Sequence, residues 1–595
     1  MISRLKHKAK EFIKDNFFRI HAAYVAPSPH SNIQKSAVYL EWIANSLVVI
    51  VNEFVESESL SDSRLVNRLN GIFKTKRFGL LVNRLVVEYF LSLFNKLYEI
   101  SNVPVKDHQY VSLEDNPINR FGVKKYREQF SLSSDDIHWL APLSPWRHLV
   151  SIGILGSYIF YHSIKSGMKI SFKKKKYKVL REALWGLEGC GYFFRDDFLI
   201  DGKLIQKEDI LFFGRSIMMS DPHGRMKAYY DAKKFGYAHY YLPSLKIDAA
   251  KLLLRIIPKY IFSSGFAFLA EIGSLNFSFY QNIFYYFTLH ALPYEKIFSS
   301  YCVKSELGHN FFSASHIAEA IICENHGAKY FLMHWSDNSV VIDTYLMSYL
   351  GCDYFLLWGK AHLLGVEGNF TTFVYTGYPF KRSIRQVASN RQRFFSEMGI
   401  HNTGQIVSFF DESFGRDCKM TEEHFVNFWL TAYKFAELAK NQTVIIKPKD
   451  INRYHHLSLH KKREFLDLLS KLKALPNFYI VDDQKWSFIE VIGISDVVVT
   501  QGMTSSATIA LVCGIEALYF DEASYNHPFS VLLKDKIVFN SQEKLLNKLT
   551  KIIYNNESVF NEIPQRLIRE YDAFENDSGI DIYRQMLADH KIAKV

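Results

Sequence analysis

A turn of small residues in the last quarter of the chain joins an apolar strand to a helix. The stretch 495–522, SDVVVTQGMTSSATIALVCGIEALYFDE, brings Gln501 and Gly502 to the end of the strand. Three small polar residues then open the helix: Thr504, Ser505 and Ser506. Backbone N–H groups at a helix start attract anions, and a glycine lets a ligand approach the backbone closely. The pattern predicts a phosphate or diphosphate site, with an ordinary Ser/Thr N-cap as the alternative.

Charged residues follow other apolar strands in the same half of the chain. Asp411 ends the stretch QIVSFFD, Lys447 and Lys449 follow TVII, and Glu522 follows EALYF. Each lysine offers a mobile charge and three hydrogen-bond donors, which suits a phosphate, and a solvated turn is the alternative. The residues predicted to bind a nucleotide donor are Asp411, Lys447, Lys449, Gln501, Gly502, Thr504, Ser505, Ser506 and Glu522.

A second group of polar residues, in the middle of the chain, suits the acceptor side of a transfer reaction. Such a reaction needs a carboxylate or histidine within hydrogen-bond reach of the acceptor hydroxyl. The stretch VKSELGHN (303–310) is predicted to follow a strand and supplies Glu306 and His309, while HWSDN supplies His334 and Asp337. Each of the four is a candidate catalytic base, and each is equally compatible with a hydrogen-bonded residue on a loop.

These residues belong to short apolar strands that alternate with helices. The predicted strands form two sets, 209–214, 237–245, 297–303, 329–335, 353–359 and 373–379, then 405–411, 443–449, 477–483, 496–502 and 516–522. Strands separated by helices of this length imply parallel sheets with right-handed crossovers. The predicted fold class is therefore α/β, with two Rossmann-like domains that face a cleft. Ligands of such sheets bind beyond the carboxyl ends of the strands.

The chain has 595 residues, too many for one hydrophobic core. The spacing of its apolar residues divides it into three parts. Residues 1–204 are predicted to be mainly helical, because apolar residues recur there every three or four positions. Residues 205–385 are predicted to form the first Rossmann-like domain, on the acceptor side. Residues 386–595 are predicted to form the second domain, on the nucleotide-donor side, with helices at the carboxyl end.

The order of motifs between residues 300 and 530 resembles that of GT-B glycosyltransferases. A helix leads into SDVVV, followed by a Ser-Ser turn, a helix that ends at a glycine and a strand that ends in an acid. The pattern is most similar to bacterial surface-polysaccharide enzymes, which include CDP-glycerol glycerophosphotransferases and capsule transferases that use CMP-sugars. The resemblance implies that the Ser-rich turn and Glu522 bind the donor nucleotide and its sugar, and that no metal ion is needed.

The chain departs from the family pattern in two motifs. Lys447-Pro448-Lys449 stands where the family has a His-Pro element that contacts donor phosphate. In HGAKYFLMHWSDNS, Met333 and Trp335 replace the Gln and Gly of a Gln-His-Gly element, so only His334 matches. Because of these replacements, an alternative hypothesis remains. In it, the chain has the same fold but is a polysaccharide-assembly scaffold without catalytic activity.

The predicted function is transfer of a sugar from a nucleotide-activated donor to a cell-surface polysaccharide or lipopolysaccharide. A CMP-linked donor is one form that the resemblance implies, and no cofactor is expected beyond this donor substrate. Transfer of a polyol phosphate from a CDP-glycerol-type donor is the alternative activity. An inactive assembly scaffold is the alternative outside catalysis.

The charge of the chain limits its partners. The 72 Lys and Arg residues exceed the 61 Asp and Glu residues, and the net charge of +11 suits anionic partners. Residues 1–20 combine apolar and basic positions around a helix, and KKKKYK (173–178) adds a second basic cluster. An anionic membrane surface is therefore an expected partner. Nucleic acid is not expected, because the basic residues form no aromatic–basic motif.

The predicted location is the cytoplasm, with peripheral attachment to the inner face of the cell membrane. The six cysteines are scattered without a CxxC pair, which favours a reducing compartment and argues against a zinc site. The first residues contain no uninterrupted apolar core of the kind that signal peptides have. No run of about 18 apolar residues predicts a membrane-spanning helix.

Overall fold

The computed structural model describes the following residues: 37–58, 64–101, 111–114, 117–130, 132, 137–140, 175–182, 199–200, 202–214, 238–241, 259, 263, 277–308, 313–334, 336, 348–363, 371–401, 404–415, 420–482, 485–525, 527–574 and 579–590. They form two large parallel sheets, of seven and six strands, and one two-stranded sheet. The predicted fold class is confirmed, because two Rossmann-like α/β domains follow a helical region.

The first large sheet is built from strands in the first two thirds of the chain. Strands β1 to β9 span Val111–Glu114, Ile137–Leu140, Lys175–Glu182, Ile210–Gly214, Ala238–Tyr241, Tyr301–Gly308, Lys329–Met333, Tyr354–Leu357 and Thr372–Tyr375. β1 pairs with β2, and the other seven strands form a parallel sheet in the order β5-β4-β3-β6-β7-β8-β9. Tyr330, Phe331 and Leu332 of β7 are all buried, as expected of a strand that is covered on both faces.

Strand β3 lies in a segment for which the sequence predicted helix and a basic cluster. The lysines of KKKKYK continue into this strand, which pairs with β4 on one side and β6 on the other. Tyr177 is buried there, and Lys178 forms an ion pair of 2.9 Å with Asp209. The predicted domain boundary at residue 204 is therefore wrong, because it separates β3 from its own sheet.

The amino-terminal helices form one layer on the first sheet. Helices α1 to α6 span Ala37–Glu58, Arg64–Phe73, Phe78–Ser101, Pro117–Tyr126, Phe277–Ser300 and Ser315–Asn325. Buried residues of α1, α2 and α3 share a hydrophobic cluster with α5, α6 and the sheet. Arg77 fixes this layer through ion pairs of 2.6 Å with Glu324 and 3.2 Å with Asp353. The described part of the helical region therefore belongs to the core of the first domain.

Among the described residues, α3 alone contains a segment long and apolar enough to cross a membrane, Phe78–Tyr98. Within the fold, 61% of the apolar window is buried. Arg84 in this segment is also buried, and its Nη1 donates a 3.1 Å hydrogen bond to the Ser348 carbonyl oxygen. These contacts are those of a core helix. The basic segment 1–20 lies outside the described residues, so its membrane contact stays a prediction.

The second large sheet is built from the last third of the chain. Strands β10 to β15 span Ile406–Phe410, Thr443–Lys447, Phe478–Ile480, Val497–Gln501, Glu516–Phe520 and Val538–Phe539. Helices α7 to α14 span Lys381–Ser389, Arg391–Met398, Glu422–Leu438, Leu459–Lys473, Phe488–Ile494, Ser505–Val512, Pro528–Leu532 and Gln542–Asn555. The strand order is β12-β11-β10-β13-β14-β15. All the strands predicted in this half are present, and β15 adds an edge strand that the sequence did not predict.

The last two helices, α15 (Gln565–Tyr571) and α16 (Gly579–Asp589), lead the chain back to the first domain. On α16 the Leu587 carbonyl oxygen accepts a 2.8 Å hydrogen bond from the Ser305 hydroxyl on β6. Apolar residues of α16 also share a hydrophobic cluster with β3, β4, β6, β7 and β8. The prediction that residues 386–595 all belong to the second domain is therefore wrong for α16, which completes the core of the first.

Candidate functional site

The parallel register of the second sheet brings four strand ends to one edge. β10 pairs with β11 and β13, and β13 pairs with β14, all in parallel. The carboxyl ends of parallel strands meet at the same edge of a sheet. These strand ends form the second-domain edge, which collects predicted donor-binding residues from separate segments: Asp411, Lys447, Lys449, Gln501, Gly502 and Glu522.

Asp411 is buried at the second-domain edge and connects two neighbouring elements. Its Oδ1 accepts a 2.6 Å hydrogen bond from the Lys449 backbone N–H, and its Oδ2 accepts one of 3.2 Å from the Trp429 indole on α9. Burial raises the pKa of Asp411 to about 7, although these two donors and the nearby Lys447 act in the opposite direction. The charge of this carboxyl group therefore changes near neutral pH.

Glu412 forms an ion pair with Lys449 beside Asp411, and the sequence did not single out this glutamate. Its Oε1 contacts the Lys449 Nζ and accepts a 2.6 Å hydrogen bond from the Ser413 backbone N–H. Gln501 supports the same loop, because its Oε1 accepts a 3.0 Å hydrogen bond from the Glu412 N–H. The Gln501 side chain is buried, and its Nε2 has no hydrogen-bond partner among the described residues. An ammonium group and an enclosed amide donor thus both adjoin Glu412.

Gly502 has a φ of +67°, a left-handed conformation that favours glycine. A Cβ at this position would lie 2.3 Å from Met420 Cε and 3.2 Å from the Tyr525 ring. Side chains therefore cover the glycine in this structure, and the backbone conformation alone accounts for its presence. Close approach of a ligand to Gly502 stays a prediction.

The start of α12 lacks the ordinary side-chain cap that was the alternative explanation for its sequence. Thr504 is the N-cap residue in extended conformation, and its side chain makes no capping hydrogen bond. Ser505 and Ser506, the first residues of the helix, are partly exposed. The backbone N–H groups of this turn carry the positive end of the helix dipole, so the turn retains the capacity to bind an anion.

Glu522 and Lys447 complete the second-domain edge. Glu522 is half-buried, and its Oε1 accepts a 3.3 Å hydrogen bond from the Asn427 Nδ2 on α9. Burial raises the pKa of Glu522 to about 7, with the Asn427 hydrogen bond opposing the rise. The Lys447 Nζ donates a 2.9 Å hydrogen bond to the Pro448 carbonyl oxygen. The helix α9 thus contacts both carboxyl groups with raised pKa, through Trp429 and Asn427.

The first-domain residue Glu306 is not where the sequence placed it. Strand β6 continues to Gly308, so Glu306 lies inside the strand and not after it. Its side chain is buried, and its Oε2 accepts a hydrogen bond of 3.1 Å from the Cys323 thiol on α6. The prediction of a post-strand position is wrong, because α5 continues to Ser300 through residues predicted as strand. An enclosed position in the sheet does not suit a base that must reach an acceptor hydroxyl.

His334 follows β7 at the carboxyl edge of the first sheet, where the sequence predicted it. The ring is fully buried, with centroids 4.3 Å from the His362 ring and 5.3 Å from Trp358. Burial, and next the neighbouring His362, lower the pKa of His334 well below its usual value. His334 is therefore neutral at physiological pH. His309 and Asp337 lie outside the described residues, and their roles stay predictions.

His362 belongs to a row of rings that reaches the second half of the chain. Its centroid lies 5.6 Å from that of Tyr571, and the Tyr571 hydroxyl lies 3.2 Å from the His527 Nε2. Burial lowers the pKa of both histidines to about 3. This row connects the carboxyl edge of the first sheet to the second domain. The sequence did not reveal it, because single histidines among aromatic residues form no recognisable spacing.

The second-domain edge has the chemistry of a site for a phosphorylated ligand with hydroxyl groups. An ammonium group, a buried amide and a helix start can donate to phosphate oxygens, and carboxyl groups can accept from hydroxyls. Among the described residues, no group of three or more His, Cys, Asp or Glu side chains is arranged to hold a metal ion. Independence from metal ions and cofactors stays a prediction.

Comparison with known proteins finds likeness in fold. No family model and no curated protein matches the sequence. The wall teichoic acid polymerase TagF aligns with a TM-score of 0.41 and 8% identity, over 75% of this chain and 97% of that chain. The UDP-GlcNAc 2-epimerase of Methanocaldococcus jannaschii aligns with a TM-score of 0.38 and 12% identity, over 70% and 99%.

The α,α-trehalose 6-phosphate synthase of Burkholderia multivorans aligns with a TM-score of 0.32 and 11% identity, over 70% of this chain and 97% of that chain. With TM-scores of 0.32–0.41 and identities of 8–12%, none of these likenesses assigns an activity to this chain.

Proposed function

We propose that this chain is a GT-B-like transferase that binds a nucleotide-activated sugar at the second-domain edge and transfers the sugar to a cell-surface polysaccharide or lipopolysaccharide. One observation carries the proposal. Lys449, the enclosed Gln501 amide and the side-chain-uncapped start of α12 lie at the same sheet edge as Asp411 and Glu522, whose pKa values are near 7. Perturbed carboxyl groups beside anion-binding donors are typical of functional sites.

In this proposal the donor's phosphate groups bind to the start of α12 at Ser505 and Ser506 and to the two lysines of the edge. Fixed donors of this kind stabilise the charge that develops on a leaving phosphate, so no metal ion or further cofactor is required. Asp411 and Glu522 accept hydrogen bonds from hydroxyl groups of the ribose or of the transferred sugar.

The acceptor belongs to the first domain in this proposal. His334 is neutral and lies at the carboxyl edge of the first sheet, so it has the protonation state of a general base. Because it is fully buried, the surrounding side chains must move before it can reach an acceptor hydroxyl. His309 and Asp337 are the other proposed bases, and Glu306 is not proposed as the base because it lies inside β6 and its carboxylate accepts a hydrogen bond from Cys323.

The proposed setting is the cytoplasmic face of the cell membrane, which the net charge of +11 favours. An anionic membrane surface and a lipid-linked or polymeric saccharide acceptor are the proposed partners, and nucleic acid is not. Phosphate transfer from a CDP-glycerol-type donor uses the same edge and also releases CMP, and the acceptor product distinguishes it, because one phosphate group is transferred to the acceptor together with the polyol.

A thermal-shift screen with CMP, CDP, UDP, GDP and ADP tests the donor site. A nucleotide at about 100 times its dissociation constant is expected to add about 2.7 kcal/mol to the free energy of unfolding. The double variant Ser505→Ala/Ser506→Ala and the variant Lys449→Met should each reduce that response. Ser541→Ala is the matched control, because Ser541 also precedes a helix without a side-chain cap, in the same domain.

The outcomes separate the candidate functions. One nucleotide that stabilises the wild type and Ser541→Ala, but stabilises the edge variants less, supports the donor site and identifies its base. If none of the five nucleotides shifts the unfolding temperature, the transferase proposal is wrong, and an assembly scaffold without catalytic activity becomes the better explanation.

A further inference from the structure

One carboxylate oxygen at the second-domain edge has the surroundings of a bound phosphate oxygen. The Glu412 Oε1 contacts the Lys449 Nζ and accepts a 2.6 Å hydrogen bond from the Ser413 backbone N–H. An ammonium group and a backbone N–H that converge on one oxygen are the donors that proteins offer to phosphate. In this structure a side chain of the protein itself occupies that pair of donors.

The loop that carries Glu412 is held from the side of β13. The Glu412 N–H donates a 3.0 Å hydrogen bond to the Gln501 Oε1, so the backbone of the loop is held by a contact that does not involve the Glu412 carboxylate. The other nitrogen of the same amide group, Gln501 Nε2, is enclosed and has no hydrogen-bond partner among the described residues. The amide that holds the Glu412 loop therefore keeps one N–H group with the capacity to donate to a further acceptor.

The charges at the edge lead to the same conclusion. Glu412 neutralises Lys449, Lys447 donates to the Pro448 carbonyl oxygen, and Asp411 and Glu522 add further carboxyl groups. The edge therefore offers little net positive charge to a phosphate group unless one of the carboxylates moves away from its lysine. The Glu412 carboxylate is in direct contact with the Lys449 ammonium group at this edge.

We propose that Glu412 is an internal substitute for the donor's phosphate, which the donor displaces from Lys449 and the Ser413 N–H when it binds. This inference rests on the proposed nucleotide-binding function and names the regulation of that same site. Displacement is a non-covalent exchange in which one anion replaces another on the same donors. In the absence of a donor, the Glu412 carboxylate neutralises the Lys449 ammonium group. A ligand gains access to Lys449 only if it binds this lysine more strongly than Glu412 does.

The exposure of the pair makes this exchange feasible. The side chains of Lys449 and Glu412 are 46% and 16% exposed. Ion pairs with this degree of exposure change an equilibrium constant by about fivefold or less. A phosphate group with more than one negative charge competes well with a single carboxylate for the same donors.

Calorimetric titration with CMP, CDP, UDP, GDP and ADP tests the inference on the full chain. Glu412→Gln is expected to bind the responding ligand about two- to fivefold more tightly than the wild type, because the competing charge is gone. Glu412→Asp keeps the charge but withdraws the carboxylate by one methylene group, so it should also bind more tightly, by a smaller factor. Lys449→Met should bind more weakly than the wild type.

The matched control is Glu437→Gln, which makes the same change in net charge at an exposed position near the end of α9. There the Glu437 Oε1 accepts a 2.6 Å hydrogen bond from the Tyr433 hydroxyl, away from the strand ends. This control should bind the ligand as the wild type does. Glu412→Gln should also show a steeper loss of affinity with salt than the wild type, because Lys449 is then unneutralised.

Two results would overturn the inference, and they differ in what they say about the proposed function. If the wild type binds a nucleotide and Lys449→Met weakens it, but Glu412→Gln binds equally or less tightly, Glu412 is not a substitute and the donor site stands. If neither the wild type nor Glu412→Gln binds any of the five ligands, both the substitute and the nucleotide-binding function are wrong.

Discussion

Lys381 and Asp572 form a buried ion pair that joins the two places where the chain crosses between the domains. The Lys381 Nζ lies 2.5 Å from the Asp572 Oδ2, and the two side chains are 4% and 3% exposed. The same Nζ donates a 2.7 Å hydrogen bond to the Phe574 carbonyl oxygen. Lys381 begins α7, which enters the second domain, and Asp572 follows α15, which leaves it. The two crossings are therefore fixed side by side.

Loss of one member of this pair should destabilise the protein strongly. Lys381→Met leaves the Asp572 carboxylate buried without its cation, and a buried charge left in this way costs about 3–5 kcal/mol. The double variant Lys381→Met/Asp572→Leu removes both charges and should be more stable than Lys381→Met alone. Urea unfolding measures the free energies. A double variant that is less stable than the single variant would show that the pair contributes little by its charges.

Gly359 provides a test of a second close contact, between the residues that follow β8 and the end of α15. A Cβ at Gly359 would lie 2.4 Å from the Glu570 carbonyl oxygen and 2.6 Å from the Tyr571 carbonyl carbon. Because both are backbone atoms, Gly359→Ala must displace α15 and should cost about 1–3 kcal/mol. Gly71→Ala on α2 is the control with open space around the new methyl group, and it should stabilise slightly. Equal unfolding temperatures for the two variants would contradict the close contact.

The second large sheet could be predicted almost strand by strand, whereas in the first large sheet β3 was missed and β6 was placed too early in the sequence. Runs such as Val497-Val498-Val499 between helical segments have one good solution, a parallel strand covered on both faces. β3 begins with lysines, and its place in the sheet depends on pairing with β4 and β6, which are distant in sequence. The local sequence pattern therefore predicted a basic surface cluster at KKKKYK. Pairing with strands elsewhere in the chain instead makes this segment part of a β-strand.

Some residues of the candidate site could likewise be predicted from the sequence, and others could not. Asp411, Lys449 and Gln501 could be predicted because each ends or follows an apolar strand, and parallel strands bring their carboxyl ends together. Glu412 and Trp429 could not, because their importance comes from contacts made only after α9 and the 411–415 loop pack on the sheet. Glu306 was predicted to follow its strand because the boundary between α5 and β6 was placed a few residues too early. An error of that size decides whether a side chain lies inside a sheet or beyond its edge.

Arg77 should prove necessary for attachment of the amino-terminal helices to the first sheet. Its guanidinium, 7% exposed, pairs with Glu324 and Asp353, which lie in the sheet domain. Arg77→Met removes both contacts and should cost about 1.5–3 kcal/mol, the usual contribution of hydrogen bonds to charged groups, while Asp353 keeps its 2.9 Å ion pair with Lys329. Arg393→Met is the control, since Arg393 forms an exposed pair with Glu397 and should change stability by at most about 0.5 kcal/mol. Similar losses in urea unfolding for both variants would contradict a special role for Arg77.

Asp411 should make the stability of the protein fall as the pH rises through neutrality. Its pKa in the folded protein is about 7, above its usual value of 3.8, so the folded state holds this proton more tightly than the unfolded state does. The stabilisation is fully present below the unfolded pKa and is lost as the pH rises through the folded pKa. Asp411→Asn carries no titrating proton here and should lack this contribution to the pH dependence.

The difference between the unfolding free energies of Asp411→Asn and the wild type is the quantity to measure. Relative to the wild type, the variant should gain about 2–3 kcal/mol between about pH 5 and pH 8, whatever constant loss the amide causes at the Trp429 indole. Asp467→Asn makes the same chemical change at a side chain that is 67% exposed on α10 and is the matched control. A constant difference for Asp411→Asn would mean that this carboxyl group is ionised throughout, and that donor phosphates then meet its full negative charge at the second-domain edge.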